Sequence, residues 1–469
     1  MSILDLDLAS LRATLSAGKI SAHELMQETL AKIDAINPQV NAIISPLDPD
    51  MCLDAARRAD EHGDPTRPLH GIPLAIKDLA NAKGLWTSMG SPLFPMAPAA
   101  KDDIFVKRMR DAGAIIFAKT NTPEFGLGSH TFNPVHGRTA NPYDITKSAG
   151  GSSGGAAVAL ATRMVSIADG SDMMGSLRNP AGWNNVFGMR PSWGLVPSEP
   201  LGDMFLHQLS TNGPMARTPT DLAVLLTVQA GPDPRQPHGR PAQDFLRDME
   251  QFDLKGAKIA YLGDWGLPYE SGILDITQTA VDQMRALGAT VDQISNPFDM
   301  PALWDSWVTL RHWEVTNKLS PFYHDAAKRT LLKPAAIWEI DNGLRLSAAQ
   351  IHAASLIRSQ WFAKTVQMFE EYDAFVLPSA QSWPFAGDLV HPAQINGVPM
   401  DTYHRWMQVV VPAGLIGLPV VNLPIGFGAN GLPAGIQLIG GRGADAKLLG
   451  MANAWHRAYP HANTKPPLS

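Results

Sequence analysis

Residues 150–176 read GGSSGGAAVALATRMVSIADGSDMMGS, and the succession of physical demands along them points to a fold. The run Gly150–Gly155 lets backbone come close to a neighbour or a ligand, because glycine has no Cβ. Ala156–Arg163, nearly all Ala, Val and Leu, reads as a buried helix, and Met164–Ala168 as a short strand. Asp169–Ser176 then reads as a loop leaving that strand, the place where α/β proteins carry reactive groups.

Alternation of the same kind extends in both directions. Upstream, Ser21 and Glu24 have capping-box spacing before an amphipathic helix over 22–36. Strand Ile72–Ile76, a helix after Asp102-Asp103 and strand Ala114–Ala118 follow. Downstream come strand Lys258–Leu262, a helix around Ile276–Leu287 and strand Thr290–Ile294. A mostly helical stretch, 302–371, holds Trp304, Trp307, Trp313, Trp338 and Trp361. Strands Ala374–Leu377 and Gly435–Ile439 and a helix Asp445–Arg457 close the chain. The pattern predicts an α/β fold, a large mixed, mostly parallel β-sheet covered by helices on both faces.

Composition narrows the function classes. Of 469 residues, 45% are hydrophobic and 17% charged, against a usual charged share of about 25%, so the chain reads as compact and soluble. Its 40 glycines and 38 prolines fall short of a low-complexity composition and fit ordered loops. A net charge of −6 without a basic block gives no footprint for nucleic acid. The single cysteine, Cys52, excludes an internal disulfide and a Cys-rich metal site, and suits a reducing cytoplasm. Acidic residues near Met1 argue against a signal peptide. Trp406–Gly441 carries no charge, yet Pro412, Pro419, Pro424 and Pro433 break any membrane-spanning helix, so this stretch reads as buried strands and turns. The 14 histidines show no His-Glu-x-x-His pattern, so no metal is expected.

The glycine-serine run alone admits several readings. As a phosphate loop it lacks the Gly-Lys-Ser/Thr ending. Gly151–Gly155 fits a nucleophile elbow, with Ser153 as nucleophile. A plain tight turn fits equally. Lys77, closing the apolar strand after Gly71, and Ser176, closing the 169–176 loop, read singly as an ion-paired lysine and a turn serine.

Taken together, Lys77, Ser152 and Ser176 with their flanking sequences closely resemble the amidase signature family. Lys77 precedes Ser152 by 75 residues, and Ser152 precedes Ser176 by 24, the intervals of many members. The likeness runs through Gly71–Asp78, Ser88–Ser91, Lys119–Gly126, Gly150–Ser192 and Pro412–Gly440. It implies a Ser-Ser-Lys triad: Ser176 as nucleophile, Ser152 as a bridging serine on a cis peptide and Lys77 as base. It further implies a small-molecule amide substrate, no cofactor, and a homodimer as the family-level expectation. Serine becomes an effective nucleophile only when a base takes its proton, and a buried lysine without close carboxylates can be that base.

Backbone N–H groups of Met173, Met174, Gly175 and Ser176 are the expected oxyanion donors, with Ser153 and Ser129 also at the substrate site. The family pattern before the nucleophile is Asp-Thr-Gly-Gly-Ser; here it is Asp172-Met173-Met174-Gly175-Ser176. Methionine adopts positive φ less easily than glycine, so Met174 is expected to reshape the acyl pocket. Asp172 and Arg178 are expected to organise the loop. Arg358 resembles in position the arginine that binds glutamine's carboxylate in the glutaminase subunits of tRNA-dependent amidotransferases. The chain is read as one domain, 1–469: an N-terminal helical segment 1–65, a core 66–230, a variable substrate-entrance region 231–400 containing the proline-rich Gly231–Pro241, and a C-terminal return 401–469. The expected function is hydrolysis of a small carboxamide, acylamide or urea-like compound. The alternatives are the glutaminase subunit of a tRNA-dependent amidotransferase and a non-catalytic binding relative.

Overall fold

Capping chemistry starts the first long helix where the sequence places it. In the computed structural model, which describes residues 2–468, Ser21 accepts from the Glu24 N–H and the Glu24 carboxylate accepts from the Ser21 N–H. Helix α1 (Ala22–Val40) follows and ends at Asn41 in the left-handed conformation. After it, β1 (Ile43–Ile44), β2 (Pro73–Lys77), α2 (Ile104–Asp111) and β3 (Ile115–Thr120) build a small sheet. There β2 and β3 are parallel and β1 pairs antiparallel with β3. The strand ending in Lys77 is thus not part of the main sheet.

The rest of the chain runs α3 (Gly154–Ala161), β4 (Ile167–Asp172), α4 (Asn179–Trp183), β5 (Phe187–Arg190), β6 (Thr211–Ala216), α5 (Pro219–Gln229), β7 (Lys258–Tyr261), α6 (Ile273–Ala286) and β8 (Thr290–Gln293). Helices α7 (Met300–Tyr323), α8 (Pro334–Gly343) and α9 (Ala348–Phe369) fill the predicted helical region, followed by β9 (Ala374–Pro378), β10 (Val420–Phe427), β11 (Pro433–Ile439) and α10 (Asp445–Ala458). An eight-stranded sheet has the order β8-β7-β9-β11-β10-β5-β6-β4.

The α/β class and the mixed sheet are as expected; the parallel majority is not. Only β8/β7 and β7/β9 are parallel, and every other neighbouring pair is antiparallel. A short turn joins β10 to β11, and such a connection can only return the chain antiparallel. The sequence hides this because every residue of β9 and β11 is buried. Successive side chains point to opposite faces, so both faces are covered and the strands look like the apolar runs of a parallel sheet.

The β4 strand also starts three residues later than predicted. Arg163, at φ 66, breaks the chain out of α3 and delays the strand to Ile167. Asp169, Ser171 and Asp172 therefore lie in strand, paired with β6 from Thr211↔Asp172 to Ala216↔Ile167. Residues 420–439 form β10 and β11, and no described helix is long and apolar enough to cross a membrane.

Candidate active site

Strands from the two sheets converge where Lys77 ends β2. Its side chain is 1% exposed. Nζ lies 2.7 Å from Ser152 Oγ, 2.8 Å from Ser153 Oγ and 3.0 Å from Ser171 Oγ. Hydroxyls can accept from an ammonium or donate to a neutral amine, so this cage holds the lysine in either state. Burial lowers the Lys77 pKa to about 7 against the opposing fields of Asp169 and Asp172. The Asp169 carboxylate accepts from the Lys77 backbone N–H at 2.9 Å, and burial pushes its own pKa up to about 6.

Ser152 follows a cis Gly151–Ser152 peptide bond and is 2% exposed. Gly126, at φ 69, passes close by: a Cβ there would sit 2.8 Å from Leu79 Cδ1 and in ordinary contact, 3.5 Å, with Ser152 Oγ. Ser129 does not face an open site. It is buried, its hydroxyl bonds the Gly151 carbonyl, and it lies 2.8 Å from Asn179 Oδ1. One hydroxyl proton cannot serve both acceptors, and Asn179 Nδ2 lacks a partner among the described residues. The Asn179 amide turned over, with Nδ2 donating to Ser129, satisfies all three groups. Ser129 thus supports the backbone carrying Ser152, and Ser153 belongs to the lysine cage.

Ser176 leaves β4 on a loop shaped by one carboxylate. Asp172 accepts from Gly175 N at 2.9 Å, Leu177 N at 3.0 Å, two Arg178 nitrogens at 3.0 and 2.9 Å, and Arg190 at 3.1 Å. Burial would raise its pKa, but Arg178 and Arg190 outweigh that and hold it far below the ordinary range. Gly175 has φ 82, and a Cβ there would lie 2.9 Å from Val410, so glycine is required by conformation and space alike. The Ser176 side chain is free of hydrogen bonds to other described residues.

Two of the oxyanion-loop expectations change. The Gly175 N–H points to Asp172, whereas the N–H groups of Met173, Met174 and Ser176 have no acceptor among the described residues. The positive φ falls on Gly175, so Met174 carries no such strain. Met174, 4% exposed, belongs to the main apolar core. Half-buried Met173 is the residue that reaches the helical region, its Sδ 2.9 Å from an Arg311 nitrogen. Met174→Gly is therefore expected to destabilise the protein by about 2–5 kcal/mol, as for a buried methionine truncation, with unchanged acyl-chain selectivity. Urea unfolding and a chain-length series check both halves.

Arg358 sits on α9, with Ser355 of the same helix as its hydrogen-bond partner at 3.4 Å. A cleft of about 620 Å³, bounded by Trp265, Trp304 and Gln408, contains none of Lys77, Ser152 or Ser176. Ser171 and Asp169 were missed in the sequence, although their spacing of two residues on a strand puts them on one face. No group of His, Cys, Asp and Glu among the described residues could hold a metal ion.

Comparison with known proteins identifies the family. Residues 24–449 match the family model described as Amidase. An acylamidase of Rhodococcus erythropolis is 30% identical, with 98% of this chain and 97% of the relative covered. In Aromatoleum aromaticum, the A-type subunit of glutamyl-tRNA(Gln) amidotransferase is 33% identical over 97% and 98% of the two chains. The crystal structure of a bacterial aryl acylamidase of the amidase signature family superposes with a TM-score of 0.90 at 27% identity, covering 97% of each chain. The chain belongs to the amidase signature family, and it is an enzyme of the amide-hydrolysing class.

Proposed function

We propose that this chain hydrolyses the C–N bond of a small carboxamide, acylamide or urea-like compound through an acyl-enzyme on Ser176. The carrying observation is Lys77, buried, 2.7 Å from Ser152 Oγ, and shifted to a pKa of about 7. Ser176 Oγ attacks the carbonyl carbon, and its proton moves by way of Ser152 to neutral Lys77. The tetrahedral intermediate collapses as the same relay returns the proton to the leaving amine. Water then enters, loses a proton to the relay, and releases the acid and free Ser176. The N–H groups of Met173, Met174 and Ser176 stabilise the oxyanion, each such donor contributing about 2.7–4 kcal/mol in a preorganised site. The reading includes a single domain working without a cofactor, in the cytoplasm, as a homodimer.

The base must be neutral, so activity rises as pH climbs through the Lys77 pKa. The fluorophosphonate labelling rate of Ser176 is expected to increase about tenfold per pH unit below about 7 and level off above it, following a single ionisation. Lys77→Met is expected to lower labelling and amide hydrolysis by about 10²–10⁴-fold, the usual worth of a positioned base. Labelling at Ser153, or a profile flat between pH 5 and about 8, would count against the assignment.

The amidotransferase relatives, 31% and 33% identical over nearly the whole chain, favour a second reading as a glutaminase that works within a larger complex. Glutamine hydrolysis with acyl anilides left intact, measured on the isolated chain and again with partner subunits, would support it over the first.

A further inference from the structure

Helices α7 and α8 bring a buried arginine to the loop that carries the nucleophile. Arg311 on α7 is 3% exposed and Glu339 on α8 is fully buried. Arg311 Nε donates to Glu339 Oε1 at 2.7 Å, and one terminal nitrogen donates to the Tyr403 hydroxyl at 2.6 Å. Tyr403 in turn donates to Glu339 at 2.6 Å, and His312 Nδ1 meets the other Glu339 oxygen. The Trp307 ring lies 5.1 Å from the guanidinium carbon. These contacts fix the plane of the guanidinium. They also leave its second terminal nitrogen, 2.9 Å from Met173 Sδ, with only a thioether as acceptor.

That pairing is chemically incomplete. A guanidinium has five N–H donors, and a thioether sulfur is a weak acceptor. A buried charged donor without a proper acceptor is costly, and its neighbour Met173 supplies one of the free N–H groups beside Ser176. The same helical region sends a second, half-buried cation towards the Ser152 side: Lys333 Nζ donates to the Leu127 carbonyl at 2.6 Å, next to Gly126. Glu124 faces Lys333, and Glu339 is shared among Arg311, His312 and Tyr403.

We propose that Arg311 is a specificity-determining residue that receives a carboxylate on the substrate, at the end remote from the scissile amide, in place of the Met173 sulfur. Glu339 and Tyr403 are the positioning residues that aim it. A carboxylate suits this site better than a neutral oxygen because a charge-assisted contact to a fixed guanidinium is shorter and stronger. The inference rests on the proposed amidase site and refines its substrate class to amides of dicarboxylic or amino acids.

Binding without turnover tests it. In full-length Ser176→Ala protein, calorimetry compares succinamate, glutaramate and adipamate with butanamide, pentanamide and hexanamide. At least one carboxylated amide is expected to bind about tenfold or more tightly than its neutral partner, a difference of about 1.4 kcal/mol. Added Arg311→Met/Glu339→Gln, which removes both charges together, is expected to shrink that ratio to about twofold or less. Arg311→Lys, which keeps the ion pair but loses the planar fork, should lie between and serves if the double replacement does not fold. Equal binding of carboxylated and neutral amides, or a ratio that survives both changes, overturns the proposal. Ammonia release by Ser176→Ala would instead sink the acyl-enzyme reading, and the carboxylate preference is then read from KM for the carboxylated and neutral amides in the same variants.

Discussion

Ser176→Ala is expected to lower kcat for amide hydrolysis by about 10⁴–10⁶-fold, the loss seen when a covalent nucleophile is removed and only binding and oxyanion contacts remain. Folding should be untouched, since the Ser176 hydroxyl bonds no other described residue and the loop is held by Asp172, Arg178 and Arg190. Unchanged thermal unfolding with lost turnover is the diagnostic pair, and mass spectrometry of a trapped acyl adduct on the wild-type serine completes it. Ser153→Ala is the discriminating control. Ser153 touches Lys77 at 2.8 Å, so its loss should raise no new nucleophile and should shift the pH profile more than it lowers the plateau. Turnover retained in Ser176→Ala but lost in Ser153→Ala would reverse the assignment.

Asp172→Asn is expected to cost about 3–5 kcal/mol of stability at pH 7, the penalty for leaving buried charge without its partner. Two arginines are affected at once, because Arg178 and Arg190 both pair with Asp172 inside the protein. Arg178 keeps Val410 O at 2.8 Å and Gln437 Oε1 at 2.6 Å, and Arg190 keeps Leu209 O at 2.8 Å, but these are neutral acceptors. The folded pKa of Asp172 is depressed, so its contribution is fully present above the unfolded value near 3.8 and fades as pH falls below it. Urea unfolding should therefore show a large gap between wild type and Asp172→Asn at pH 7 that narrows in acid. A gap under about 1 kcal/mol at neutral pH, the range of an exposed ion pair, would mean that the pair does not hold the loop.

The proposed trio is legible as a pattern because order and interval survive in a linear string: Lys77, Ser152 and Ser176 stand at their spacings whatever the sheet does. Ser171 was hidden by a strand start placed three residues early, itself caused by a non-glycine residue, Arg163, taking positive φ to end a helix. Met174 looked decisive because it replaces a family glycine, but the turn places its special backbone conformation one residue later, on Gly175. Arg311 was illegible for a different reason. It lies in a helix whose buried positions include Trp304, Trp307, Leu310 and His312, and helical periodicity gives no sign that its charge is met by Glu339 from another helix. Strand order was equally out of reach, since strands buried on both faces carry the same apolar signature in either direction.

The placement of β10 and β11 has a consequence for how the protein comes into being. These strands come later in the chain than every other strand of the eight-stranded sheet, yet they lie between β9 and β5 and join its two halves. Until residues 420–439 have left the ribosome, no strand ladder links β5, β6 and β4 to β7, β8 and β9, and Arg178 lacks Gln437. A nascent chain stalled before Val420 is thus expected to expose unpaired strand edges and to need shielding until β10 and β11 have emerged.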